Sequence, residues 1–113
     1  MKNISEYDLR QLRLMYNNLM YFENNRIELS SLVGSLEFLF SALESVENEW
    51  GEKFLKAITT LEHINAIEII KEAGEEVPQI DKDKVDKLIN IAVSNLKILI
   101  EKELNDNSIP PEY

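Results

Sequence analysis

Residues 29–46 read LSSLVGSLEFLFSALESV, and their spacing decides the fold. Leu29, Leu32, Val33, Leu36, Leu39, Phe40, Leu43 and Val46 recur at intervals of three and four, which places them on one stripe of an α-helix. A half-buried strand would need alternation with a period of two, and the chain shows none. The stripe predicts a helix over residues 30–47. Phe38 lies opposite it, among Ser31, Gly34, Ser35, Ala42 and Ser45. A face of small residues lets another helix approach closely. These positions therefore predict either a neighbour packed on the back of this helix or a shallow open patch with an aromatic anchor.

Working outward, residues 6–24 predict a first helix with Ser5 as N-cap and Asp8 in the capping-box position, ended by Asn24-Asn25. Leu9, Leu12, Tyr16 and Leu19 form one face of it. Tyr7, Leu14 and Tyr21 recur every seven residues on another, beside Ile4 and Phe22. That is about twice the apolar surface a helix on the outside of a fold needs. Either two helices sandwich it or it offers a second face to a partner. A third helix starts near residue 48 or 49 and runs to Ala73, with Gly74 placed as the C′ residue. Trp50, Phe54, Ala57, Ile58 and Leu61 make its apolar face and predict Trp50 as a core anchor. The same line continues into Asn65, Glu68 and Glu72, so the helix kinks or its second half leaves the core. After the loop EEVPQI, Asp81 caps a fourth helix that ends near Leu104. Val85, Leu88, Ile89, Ala92, Val93, Leu96, Leu99 and Ile100 line one side of it, with Ile91 and Ile98 off that stripe. The prediction is an all-α fold: an antiparallel four-helix bundle, up-down-up-down, over residues 1–105, with 106–113 as a flexible tail containing Pro110-Pro111.

Composition narrows the function classes. The chain has 113 residues, enough for a single core, and no cysteine, so disulfides, thiolate chemistry and sulfur metal sites are ruled out. The first ten residues lack the apolar centre of a signal peptide, and no apolar run reaches the roughly 18 residues of a membrane span, which predicts a cytoplasmic protein. Twelve Lys and Arg stand against 21 Asp and Glu, a net charge of −9. Such a surface repels nucleic-acid phosphates and anionic membranes and attracts basic proteins, although acidity also serves plain solubility. The excess is concentrated in residues 28–77, where eleven Glu face Lys53, Lys56 and Lys71.

Catalytic patterns are absent. His63 is the only histidine, and its neighbour Glu62 lacks the spacing that would put both on one metal. No HExxH, GxSxG or glycine-rich phosphate loop occurs. Residues 81–86, DKDKVD, open like a calcium loop but lack its central glycine and read as helix-start charges. No enzyme activity, cofactor or metal is expected. One charge placement is unusual. Glu44 and Glu47 fall in the predicted last turn of the second helix, where the carbonyl end disfavours negative charge, whereas Glu49 and Glu52 open the third, where it is welcome. The corner 44–52 gathers four glutamates, and the first two have no local reason to be there.

Ile27, Leu29, the pattern LxxLVGSLEFLFSALES from Leu29, Trp50 and Phe54 resemble a group of small bacterial helical proteins found as candidate immunity proteins beside polymorphic or contact-dependent toxins. The resemblance covers roughly residues 27–58. Length, helicity and acidity are also similar to those of colicin-type immunity proteins. What the resemblance implies is a cytosolic antidote that binds a basic nuclease toxin domain and blocks its active-site cleft; it fixes no binding residue by motif. The residues themselves nominate Glu44, Glu47, Glu49 and Glu52 for the electrostatics of partner binding, with Phe38, Tyr7 and Tyr21 as anchors. The alternative of a different class is a helical adaptor or structural protein that forms a homodimer through Tyr7, Leu14 and Tyr21.

Overall fold

The computed structural model describes residues 4–76 and 81–107. Among these the chain forms four helices and no strand: α1 (Glu6–Glu23), α2 (Leu29–Ala42), α3 (Asn48–Glu72) and α4 (Lys82–Asn107). Each helix packs on the next, and α4 returns to α1, so the contacts close a ring with no diagonal pairing. Leu12, Met15, Leu19, Leu32, Leu36, Phe54, Leu61, Leu96 and Ile100 fill the centre with no access to solvent.

The ends of the helices follow local chemistry. Ser5 accepts a hydrogen bond from the Asp8 backbone N–H at 3.1 Å, as its N-cap position predicts. α1 closes with Asn25 at φ 58°; the Asn25 N–H donates to the Phe22 carbonyl and the Arg26 N–H to that of Tyr21. α3 closes in the same way through Gly74 at φ 81°, with the Gly74 N–H on Lys71 and the Glu75 N–H on Ile70. Both are left-handed closures in which orphan carbonyls of the last turn find donors. At the start of α4 the Asp81 carboxylate accepts the Asp83 N–H at 3.0 Å, the expected cap.

α2 ends earlier than its apolar stripe predicts. Leu43 adopts extended backbone, and residues 43–47 cross to α3 outside any helix. The cause lies 36 residues away. Asp8, fully buried, accepts the Glu44 N–H at 2.9 Å through one carboxylate oxygen and the Ser45 N–H at 2.9 Å through the other. Two charge-assisted hydrogen bonds from one carboxylate outweigh the few helical bonds the segment gives up. The apolar residues of the stripe still reach the core, because Leu43 and Val46 pack against it from the loop. Val46 then sits so close to α3 that a Cβ on Gly51 would meet its Cγ1 at 3.0 Å, so glycine at 51 is what admits the loop.

α3 is continuous over its 25 residues. Of the two alternatives, its second half leaves the core: after Ile64 no residue of the helix is buried, and Ile69 and Ile70 are exposed. Leu88, expected on the core stripe of α4, is exposed for the same reason. At about 1.5 Å per residue, α3 and α4 span about 38 Å, whereas the 18 and 14 residues of α1 and α2 span about 27 and 21 Å. The longer pair therefore outgrows the shorter one. The radius of gyration, 15.6 Å, exceeds the roughly 13 Å of a compact chain of this size. α4 continues to Asn107, three residues past its predicted end, and so takes in Asp106 and Asn107 of the expected tail; the rest of that tail lies outside the described residues, as do positions 77–80 of the predicted loop. No helix among the described residues is long and apolar enough to cross a membrane.

Candidate protein-binding face

Among the described residues no helix covers the back of α2. Its neighbours are α1 and α3 alone, and Phe38 is 71% exposed, with Ser31, Gly34 and Ser41 exposed around it. Of the two predicted readings, the described residues supply no packed neighbour and leave the patch open. The Ser41 hydroxyl bonds back to the Phe38 carbonyl at 2.7 Å, so it is satisfied without water and adds little polarity to the patch.

The glutamate corner needs correction. Because α2 stops at Ala42, Glu44 and Glu47 do not occupy its last turn. Glu47 is the N-cap residue of α3, where the helix dipole favours its charge. Glu44 lies in the loop with its backbone N–H held by Asp8. The supposed electrostatic penalty is absent, and Glu47, Glu49 and Glu52 all have a local reason to be at the start of α3. Glu49 also pairs with exposed Lys53 at 3.3 Å. What survives is the exposure: all four side chains face solvent. Sequence reasoning missed Asp8 as the organiser of this corner, since its position three residues after Ser5 is already explained by a capping box.

Tyr7 precedes Asp8, whose carboxylate holds residues 44 and 45, so Tyr7, Glu44 and the start of α3 share one end of the molecule. Phe38 is one turn from the end of α2 and belongs to the same end. Tyr21 does not. It lies 14 residues further along α1, about 21 Å away along the helix axis. Tyr7 and Tyr21 are 38% and 44% exposed, and Leu14 between them is exposed as well. α1 is indeed flanked by both α2 and α4, which bury Leu12, Met15 and Leu19, yet the seam of Tyr7, Leu14 and Tyr21 stays open. Trp50 is core, as expected: its ring stacks with Phe54, and its Nε1 points to the Leu99 carbonyl at 3.4 Å. His63 is exposed.

A second acidic feature borders Phe38. Glu37, within α2, faces Glu62 of α3. Burial first, and then the charge and a hydrogen bond of Glu37, hold the Glu62 carboxyl above the usual carboxylate range, with His63 pulling it partway back. The folded chain thus keeps a proton that the unfolded chain has already released. This favours the fold in acid, and the advantage is lost as pH rises through the folded value. Glu62→Gln should therefore raise the melting temperature at pH 7 and leave it unchanged near pH 3, where the wild-type carboxyl is itself neutral. Thermal scans at the two pH values check this; an equal gain at both would show that charge is not the cause. The opposite case is Lys97, which donates to Glu23 at 2.7 Å across α4 and α1 and lies over the Tyr16 ring.

No protein-family model, curated protein or solved structure matches the chain.

Proposed function

We propose that the chain is an up-down-up-down bundle acting as an immunity protein, which binds a basic nuclease toxin domain through the open back of α2 and the acidic loop beyond it. The bundle order is supported by three cross-links: Asp8 to residues 44 and 45, Lys97 to Glu23, and Trp50 to Leu99. The function rests on one observation, the exposed Phe38 ring on the open back of α2 of a chain with a net charge of −9. An aromatic ring that buries on binding supplies an anchor, and surrounding carboxylates steer a cationic partner into register. The Glu37–Glu62 pair adds to this, because an arginine or lysine from the partner would relieve a repulsion that the free protein carries.

The test uses stopped-flow binding to a candidate basic nuclease toxin domain. Reversing charge at Glu44 and Glu47 should slow association about tenfold at low salt and flatten its salt dependence. Phe38→Ala should leave the association rate nearly intact and speed dissociation by about tenfold or more. Unchanged rates in both variants would remove this face from the reading.

The open seam of Tyr7, Leu14 and Tyr21 favours a second reading, a helical adaptor that pairs with its own copy about a two-fold axis. Sedimentation at micromolar concentration separates the two, since a clean monomer removes the dimer.

A further inference from the structure

An open groove of about 530 Å³ runs between α3 and α4, on a different side of the molecule from Phe38. Its charge is opposite to that of the chain. Among the described residues Lys53, Lys56 and Lys102 line it and no carboxylate does, although the protein has 21 acidic residues and a net charge of −9. Glu49 reaches Lys53 from above, in an exposed pair spaced i,i+4 of the kind that gives way readily to a competing partner.

The α4 wall has its own pattern. Leu88, Ile91, Asn95, Ile98 and Lys102 line the groove at intervals of three, four, three and four residues. That is the spacing of a seam that accepts another helix with its side chains interlocked, and a single polar Asn within such a seam fixes register. Leu88, Ile91 and Ile98 are 48%, 54% and 65% exposed, more than the core requires of them. From Leu88 to Lys102 the seam is about 21 Å long, or four turns.

We propose that the α3–α4 groove docks one acidic, amphipathic α-helix of a second protein, which lays its apolar face on the α4 seam and its carboxylates on Lys53, Lys56 and Lys102. A second copy of this chain fits poorly, because pairing groove to groove would bring lysines to lysines with no lining carboxylate between them. The net negative charge of the whole protein does not forbid an acidic ligand. Screening at physiological salt limits exposed charges to about 8 Å, so the three local lysines dominate at contact. This face is independent of the α2 face, and neither needs the other to be correct.

The probe is a designed 18-residue helical peptide with leucines at heptad spacing and glutamates on the flanks, beside a twin carrying lysines in place of the glutamates, both labelled for fluorescence anisotropy. The acidic peptide should bind and the basic twin should bind at least about tenfold more weakly. Ile98→Asp should cost about tenfold or more in affinity, as loss of a buried aliphatic anchor does. The triple variant K53E/K56E/K102E should reverse the preference between the twins. All of these positions are exposed or line the open groove, so thermal scans should show each variant folded; Ile91→Ala is the milder substitute if Ile98→Asp is not. Equal binding of both peptides, preference for the basic one, or absence of binding by the acidic one would overturn the proposal. Self-association abolished by Ile98→Asp would overturn it too, by identifying the occupant as another copy.

Discussion

Phe54→Ala is expected to destabilise the protein by about 4 kcal/mol, the largest single effect anticipated in this chain. The ring is wholly buried and packs near-parallel against two others, with its centroid 4.5 Å from that of Phe40 and 5.5 Å from that of Trp50, which themselves lie 6.5 Å apart. Phe40 comes from α2, Phe54 and Trp50 from α3, so the stack is what fastens the two helices together. Truncation removes the buried hydrocarbon, leaves a cavity beside the Phe40 and Trp50 rings, and takes away stacking worth about 0.5–1.5 kcal/mol per pair beyond burial. Against a total stability of about 5–15 kcal/mol, that is a large fraction. Urea unfolding measures the loss, and Trp50, the only tryptophan and buried in the fold, reports it through emission that shifts to the red as the chain unfolds. Phe54→Leu should cost about 1–1.5 kcal/mol, because it keeps most of the volume. A loss below about 1 kcal/mol for the alanine variant would mean that the α2–α3 seam collapses around the gap, and the stack does not hold it.

Asp8→Ala should cost about 3 kcal/mol, which lowers the melting temperature of a chain this size by about 10 °C. The carboxylate orders residues 44 and 45 through two hydrogen bonds of 2.9 Å, and it is itself excluded from solvent. Its removal strands two backbone donors in a partly buried loop, where water recovers some of the loss but not all. Asp8→Asn is instructive. It keeps one acceptor but turns an NH2 group toward an N–H donor, so it should recover only a minor part of the stability. Hydrogen exchange gives the local signature: the Glu44 and Ser45 amides should lose protection before the centre of α3 does. Preserved protection at those amides would show that the loop is held by its own packing. The consequence extends to function, because the loop carries Glu44 and Glu47 and sets their position beside Phe38.

Helix number and core membership were legible because they rest on local periodicity. Leu32, Leu36 and Leu39 in α2, or Ala92, Val93 and Leu96 in α4, are buried as their spacing requires. The closures at Asn25 and Gly74 were equally readable, since a left-handed residue at a helix end is a matter of nearest neighbours. The end of α2 was not. Apolar residues at 43 and 46 extend the helical pattern, and the competing interaction comes from a carboxylate at position 8, which no local rule connects to them. The misplacement had a consequence for the candidate site: the acidic corner lost its apparent electrostatic penalty, and its weight passed to Phe38, whose exposure follows from the absence of a helix on its side. The α3–α4 groove was half visible. Ile91 and Ile98 stood out from the main stripe of α4, but Leu88 was assigned to the core because its spacing fits, and only the greater length of α3 and α4 takes it away from α1 and α2.

The most direct measurement is bacterial growth with a candidate basic nuclease toxin domain induced, in cells carrying the wild-type chain, Phe38→Asp, or neither. The immunity reading predicts growth with the wild type and arrest with Phe38→Asp, the variant accumulating to the same level as a folded protein. Arrest despite abundant wild-type chain would contradict the immunity function, and equal protection by Phe38→Asp would contradict the α2 face as the place where the toxin is bound.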